Sequence, residues 1–425
     1  MSNKRRWLEG GKSLLILLLS LSAVYLLSLT PLIQDSGILD LLRTEPARAE
    51  GAASVSLTAA ARPSRMAVHN GEERYGLQYD QNAADELFAR LGPLLGEALT
   101  SSEAPFSIPE SRWQKCLQGK SIYYDFTGEI PLSALGGWLN QGGECALTAS
   151  ARRVLLAGDG EDGVLLCYQD AESGQFYACR TGLTESLHLS PAVGGVTGNG
   201  AQFAFESESW SRLLRPYTLI TEESRRRVYV ASTPLSPSGD LSALLEALDY
   251  SGYNHTPVSG GELYLDGNDR LRVLTDGRVI YNAAQNGKYP VTTAGSRMTV
   301  AEAIEAARGL AESTVGTQCG AAELYLISAS AVEDGYRIRF GYRLDGSTVW
   351  LYDEGWAAEF LIRGGSVTDF TLCYRSYTDA GQEALLLSMD RAAVMLPDLT
   401  EERCELILQY RDRGESTVSP RWVAN

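Results

Sequence analysis

Between Ser13 and Leu32 the chain reads SLLILLLSLSAVYLLSLTPL, twenty residues with no charge and a single Pro near the end. As a helix rising ~1.5 Å per residue, this run spans the roughly 30 Å hydrocarbon core of a bilayer. Lys4, Arg5, Arg6 and Lys12 precede it against one acid, Glu9. That bias predicts a cytoplasmic tail at 1–12, a transmembrane signal anchor at 13–32 and an extracytoplasmic remainder. Ala47-Arg48-Ala49 offers a small-x-small cleavage site, but it lies far from the apolar run across Asp35, Asp40, Arg43 and Glu45. The run also exceeds a signal peptide's usual apolar core of ~7–15 residues, so a retained anchor is expected. Within it Ser13, Ser20, Ala23 and Ser28 fall near one helical face. Small residues there allow close approach of a second membrane helix, which apolar Leu packing alone does not drive.

Periodicity is weak from 33 to 72, where TEPARAEGAASVSLTAAARPSRM predicts a flexible stalk holding a solvated His69. Order is expected from Tyr75. A helix capped near Asn82 carries Leu87, Phe88 and Leu91 and breaks at Gly92-Pro93; another begins after Pro109 with Trp113, Cys116 and Leu117 inward. The strand SIYYDFT (121–127), a helix bearing Leu135 and Trp138, and three β runs at 153–157, 164–168 and 175–180 complete a first α+β module, 73–215. A central module, 216–297, joins a helix near Leu241–Leu248 to strands punctuated by Asp266-Gly267 and Asp276-Gly277, dipeptides favoured in tight hairpins. The third, 298–425, opens on TVAE, a capping box at Thr299 and Glu302, and continues in strands. The predicted class is α+β: an anchor followed by three modules of helices on antiparallel sheets.

The formal net charge of −16 makes the expected exported surface acidic, which disfavours nucleic acid and anionic head groups. Three histidines (69, 188, 255) lack ligand-spaced partners, and seven cysteines lack CxxC spacing. No GxSxG or SxxK motif is present. The glycines of VGGVTGNG (193–200) lack the P-loop lysine. The acidic turns at 159–162 and 266–269 depart from the EF-hand order, and hairpin turns explain both. No residue is therefore given a catalytic, cofactor-binding or metal-ligating role. Cys167 and Cys179 flank a turn centred near Ser173, which places them opposite each other on paired strands as adjacent thiols or a disulfide.

The ordered set SIYYDFTGEIPLSALGGWL, ELYLDGNDRLRVLTDGRVIYNA and YRIRFGYRLDGSTVWLYDEGWAAEFLIRGGSVTDFTLCYRSY resembles the YycH family, with likeness to the YycI family in the last module. Members are single-pass extracytoplasmic accessory proteins of the YycG (WalK) sensor kinase of Gram-positive bacteria. The resemblance implies a membrane-anchored regulator without catalysis or cofactor. Its expected partners are a sensor histidine kinase and a YycI-like sister protein, in two-component signalling for cell-wall homeostasis. An anchored envelope hydrolase using Asp and Glu side chains, or an extracytoplasmic sensor of a small ligand or peptide, would share the same topology.

Overall fold

The computed structural model describes residues 62–425 apart from 141–142, 222–224, 236–239, 285–286, 293–296 and 396–402. The expected anchor lies outside these residues. Among the described residues no helix is long and apolar enough to cross a membrane.

The N-terminal sheet is built from β1 (Arg65–His69), β2 (Arg74–Gln78), β3 (Phe106–Ile108), β4 (Ser121–Pro131), β5 (Ser150–Gly158), β6 (Gly163–Asp170) and β7 (Phe176–Thr184). Their order is β2-β1-β4-β5-β6-β7-β3 and every pairing is antiparallel. Side chains alternate between the two faces of a strand. In β4, Ile122, Tyr124 and Phe126 enter one core while Tyr123 enters another. Helices α1 (Gln81–Thr100) and α3 (Leu132–Leu139) join the first core through Phe88, Leu91, Leu95 and Leu135. Helix α2 (Glu110–Gln118) joins the second through Trp113 and Leu117. Burial on both faces explains why these strands read as nearly unbroken apolar runs.

Two expectations change here. The stalk predicted through residue 72 ends earlier, because Met66, Ala67 and Val68 lie between β2 and β4 and are buried. His69 is half-buried, and its Nδ1 accepts the Gly71 N–H at 3.0 Å. Helix α1 does not break at Gly92-Pro93 but runs to Thr100, with Asp80 rather than Asn82 as its cap. Pro93 faces solvent, as does Ala89, whose carbonyl loses its helical partner to the proline. An exposed carbonyl is open to solvent, so losing that bond costs little and the helix passes through.

After α4 (Ser190–Val193), β8 (Gln202–Phe203), α5 (Glu208–Leu213) and β9 (Leu219–Ile220) come β10 (Arg226–Ser232) and α6 (Asp240–Ala247). The strands β11 (His255–Val258), β12 (Gly261–Asp266), β13 (Asp269–Leu274), β14 (Arg278–Asn282) and β15 (Tyr289–Pro290) follow. Helix α7 (Val300–Ala311) starts at the capping box read from TVAE: Glu302 N–H donates to Thr299 Oγ1 at 3.2 Å, and Thr299 N–H to Glu302 Oε2 at 2.7 Å. Beyond it lie β16 (Glu323–Val332), β17 (Gly335–Leu344), β18 (Ser347–Leu351), β19 (Ala358–Arg363), β20 (Ser366–Cys373) and β21 (Ser376–Ala384). The chain closes with α8 (Met389–Met395), β22 (Leu406–Asp412), β23 (Thr417–Val418) and β24 (Pro420–Ala424). The largest sheet runs β11-β12-β13-β14-β20-β19-β17-β18-β22-β24, with β15 on β20 and β16 on β17. It is antiparallel except for the parallel β18–β22 ladder. Strand β14 of the expected central module pairs with β20 of the expected third, so both contribute to this one sheet. A separate small sheet, β21-β10-β23, leaves β21 at its edge.

Candidate functional site

Two places concentrate unusual chemistry: a charge cluster under the N-terminal sheet and an apolar segment outside the C-terminal region. The cluster gathers Arg65 of β1, Asp125 of β4, Arg152 and Arg153 of β5, and Glu405, which precedes β22. Arg152 grips Asp125 at 2.8 and 3.0 Å and Glu405 at 2.6 and 2.9 Å. Arg65 reaches Glu405 at 2.5 Å and Arg153 reaches it at 2.8 Å. Asp125 and Glu405 have essentially no exposed surface. Burial alone would raise both carboxyls, but the three guanidinium groups outweigh it, led at each carboxylate by Arg152. Asp125 is held below the usual carboxylate range and Glu405 well below it. A second buried pair, Arg375 and Asp412, bonds at 2.7 and 2.9 Å, and Tyr377 donates to the same carboxylate at 2.9 Å.

The chemical capacity of this arrangement is narrow. A hydrolytic carboxyl pair needs one acid kept protonated near neutral pH and an opening for substrate. Here both carboxylates are held ionised and enclosed by arginines. The cluster instead ties β1, β4 and β5 to a residue more than 250 positions away in sequence.

The acidic turns are likewise committed to local bonds. Asp159 Oδ1 accepts the N–H groups of Glu161 and Gly163, and Asp269 accepts from Tyr281 and from the Ala284 N–H. Among the described residues no group of His, Cys, Asp and Glu is arranged to hold a metal ion. The glycine stretch before β8 serves packing: Asn199 bonds both the N–H and the C=O of Gly76 in β2.

The exposed segment follows the edge strand β21. Leu385 is fully exposed and Leu387 partly so, and Val394 and Met395 are 74% and 66% exposed on α8. The inner face of that helix, Met389, Ala392 and Ala393, is spent on Leu214, Cys404 and Leu406. Several large apolar side chains within eleven residues, just after a strand whose outer edge is bonded at Tyr377 to Cys319 and Ala321, form a surface suited to protein contact.

No family model matches the chain, and no curated protein matches it. Its structure aligns with the crystal structure of YycH from Bacillus subtilis, covering 87% of this chain and 94% of that one, with a TM-score of 0.51 and 13% identity. The chain has the YycH fold.

Within this YycH fold the residues singled out from sequence separate. Ser13, Ser20, Ala23 and Ser28 lie outside the described residues. Cys167 and Cys179 do sit on the paired strands β6 and β7, but not opposite each other: Cys167 faces Ala178, and Cys179 faces Leu166. One residue of register puts the thiols on opposite sides of the sheet, Cys179 in the core under α1 and Cys167 in the core under α2. The sequence reading missed the charge cluster. Its signal was an acid at a strand interior, Asp125 in SIYYDFT, and another in CELILQY.

Proposed function

We propose that this protein is a non-catalytic regulatory module that binds the extracytoplasmic region of a sensor histidine kinase and shifts its signalling state. The YycH fold is the observation that carries the reading. Asp125 and Glu405, both held ionised and enclosed by arginines, weigh against the hydrolase alternative, and the exposed Leu385–Met395 segment supplies an apolar contact surface. A retained helix at 13–32 would tether the module beside the kinase's membrane helices, with Ser20 and its neighbours available for close packing. A YycI-like sister protein is a second partner of the same kind. Binding regulates only through a difference in affinity for two kinase states, so modest contacts suffice for a several-fold shift in output.

The test is chemical crosslinking in membranes carrying the full-length chain, followed by capture and mass spectrometry. Recovery of a transmembrane histidine kinase supports the proposal. Capture without any kinase, together with turnover of a cell-wall substrate by the purified chain, overturns it.

A further inference from the structure

The chain is strongly acidic, with a formal net charge of −16, yet two of its five lysines lie on one cleft. That cleft, of about 730 Å³, opens between helix α2 and the turn joining β5 to β6. On the helix side Arg112 and Lys115 stand three residues apart, so they share one face of α2. Lys120 follows the helix, and Asp159 and Glu185 supply the negative charge of the cleft wall. Both acids are committed. Asp159 Oδ1 accepts the N–H groups of Glu161 at 2.8 Å and Gly163 at 2.9 Å. Glu185 accepts from Lys120 at 3.0 Å, and Lys120 also donates to Ser190 Oγ at 3.1 Å. Asp162, in the same turn, is spent on the N–H and the hydroxyl of Ser186. Arg112 and Lys115 are exposed, and among the described residues neither forms an ion pair with a carboxylate. Lys120 and Glu185 cancel each other, so the two free cations set the sign of the cleft. The bonds within the turn and from it to Ser186 hold the facing wall in place before any ligand arrives, which spares the cost of ordering it.

We propose that this cleft binds a small soluble phosphate monoester, its phosphate held by Arg112 and Lys115. Two free positive charges match a phosphate group, which carries about −1.5 to −2 at pH 7, better than a single carboxylate. The guanidinium fork offers parallel N–H donors to two phosphate oxygens, and the lysine adds a mobile point charge. Inorganic phosphate would leave most of the cleft empty, because its volume falls in the ~300–1,000 Å³ range of small-molecule sites. The neutral stretch of wall at Cys116, Gly119 and Gly158 is left for the uncharged body of the ligand. Such a site gives the regulatory module a small-molecule input separate from the apolar segment after β21.

The full-length chain in detergent micelles is titrated with glycerol 3-phosphate by calorimetry, with glycerol and acetate as the neutral and singly charged controls. Saturable binding of glycerol 3-phosphate alone is expected. It should be tighter at about pH 7.5 than at about pH 5, because the phosphate gains its second charge near pH ~6. Arg112→Ala and Lys115→Ala should each weaken it by roughly tenfold. Arg272→Ala, at an exposed arginine of β13, should leave it unchanged. On the wild type, glycerol 3-phosphate should also protect Lys115 from acetylation, read by mass spectrometry, which decides the matter even if a variant misfolds. Equal binding of acetate, equal weakening by all three substitutions, an unprotected Lys115, or no binding at millimolar concentrations would each overturn the proposal.

Discussion

Glu405 meets Arg65, Arg152 and Arg153 with no access to water, so its charge cannot be removed without stranding theirs. Breaking a buried ion cluster by deleting one partner costs ~3–5 kcal/mol, because the remaining charges stay desolvated. Glu405→Gln should therefore lower unfolding free energy by about that much. Urea denaturation checks this, with the exposed Glu208→Gln as a neutral control. The pH dependence has a definite sign. Unfolded carboxyls titrate at ~3.9 for Asp and ~4.3 for Glu, and both folded values lie lower. The cluster's contribution is complete above those unfolded values and disappears as pH falls through the lower folded ones. The wild type should lose stability steeply below about pH 4, and Glu405→Gln should flatten that limb. An unchanged limb would mean that other carboxylates dominate acid unfolding.

At the scale of elements, helices and hairpins were legible because their signals are local. TVAE gave its capping box, and Asp266-Gly267 gave its turn, with φ +60° at the glycine. Strand β1 was not legible, because three apolar residues among Ala, Ser and Arg show no periodicity. Its place is set by β2 and β4, which only the fold supplies. The cysteine register failed by half a turn position. Asp170 N–H bonds the Gln175 carbonyl and Gly174 N–H bonds the Asp170 carbonyl, so the turn centres between Glu172 and Ser173 rather than on Ser173.

Two substitutions test this level. A Cβ on Gly128, at the bulge of β4, would sit 2.0 Å from the Leu326 carbonyl oxygen of β16. Gly128→Ala should cost roughly 1–3 kcal/mol by forcing the strands apart, read from chemical denaturation. Pro93→Ala should act in the opposite direction, restoring the N–H to Ala89 on the exposed face of α1. The gain is up to ~3 kcal/mol, seen as a higher melting temperature. A loss of stability there would show that the proline ring packs usefully.

On the scale of the whole molecule, strand alternation and module order point to α+β, and the resemblance of three strand-rich stretches points to the YycH family, whose fold the structure shares. The continuity of the large sheet did not show, because the β14–β20 ladder joins segments nearly a hundred residues apart. Nor did the convergence of Asp125 and Glu405, which no local pattern encodes. The exposed segment after β21 was equally silent, since Leu and Met in sequence read as core. Its role is the central claim, and site-specific photo-crosslinking in living cells tests it most directly. A photoreactive residue replaces Leu385 in the full-length chain, with Tyr253, nearly fully exposed beside β11, as the control position. The account predicts a covalent adduct with a sensor histidine kinase from position 385 and none from 253. Adducts from 253 alone, or no kinase adduct at either position, would contradict it.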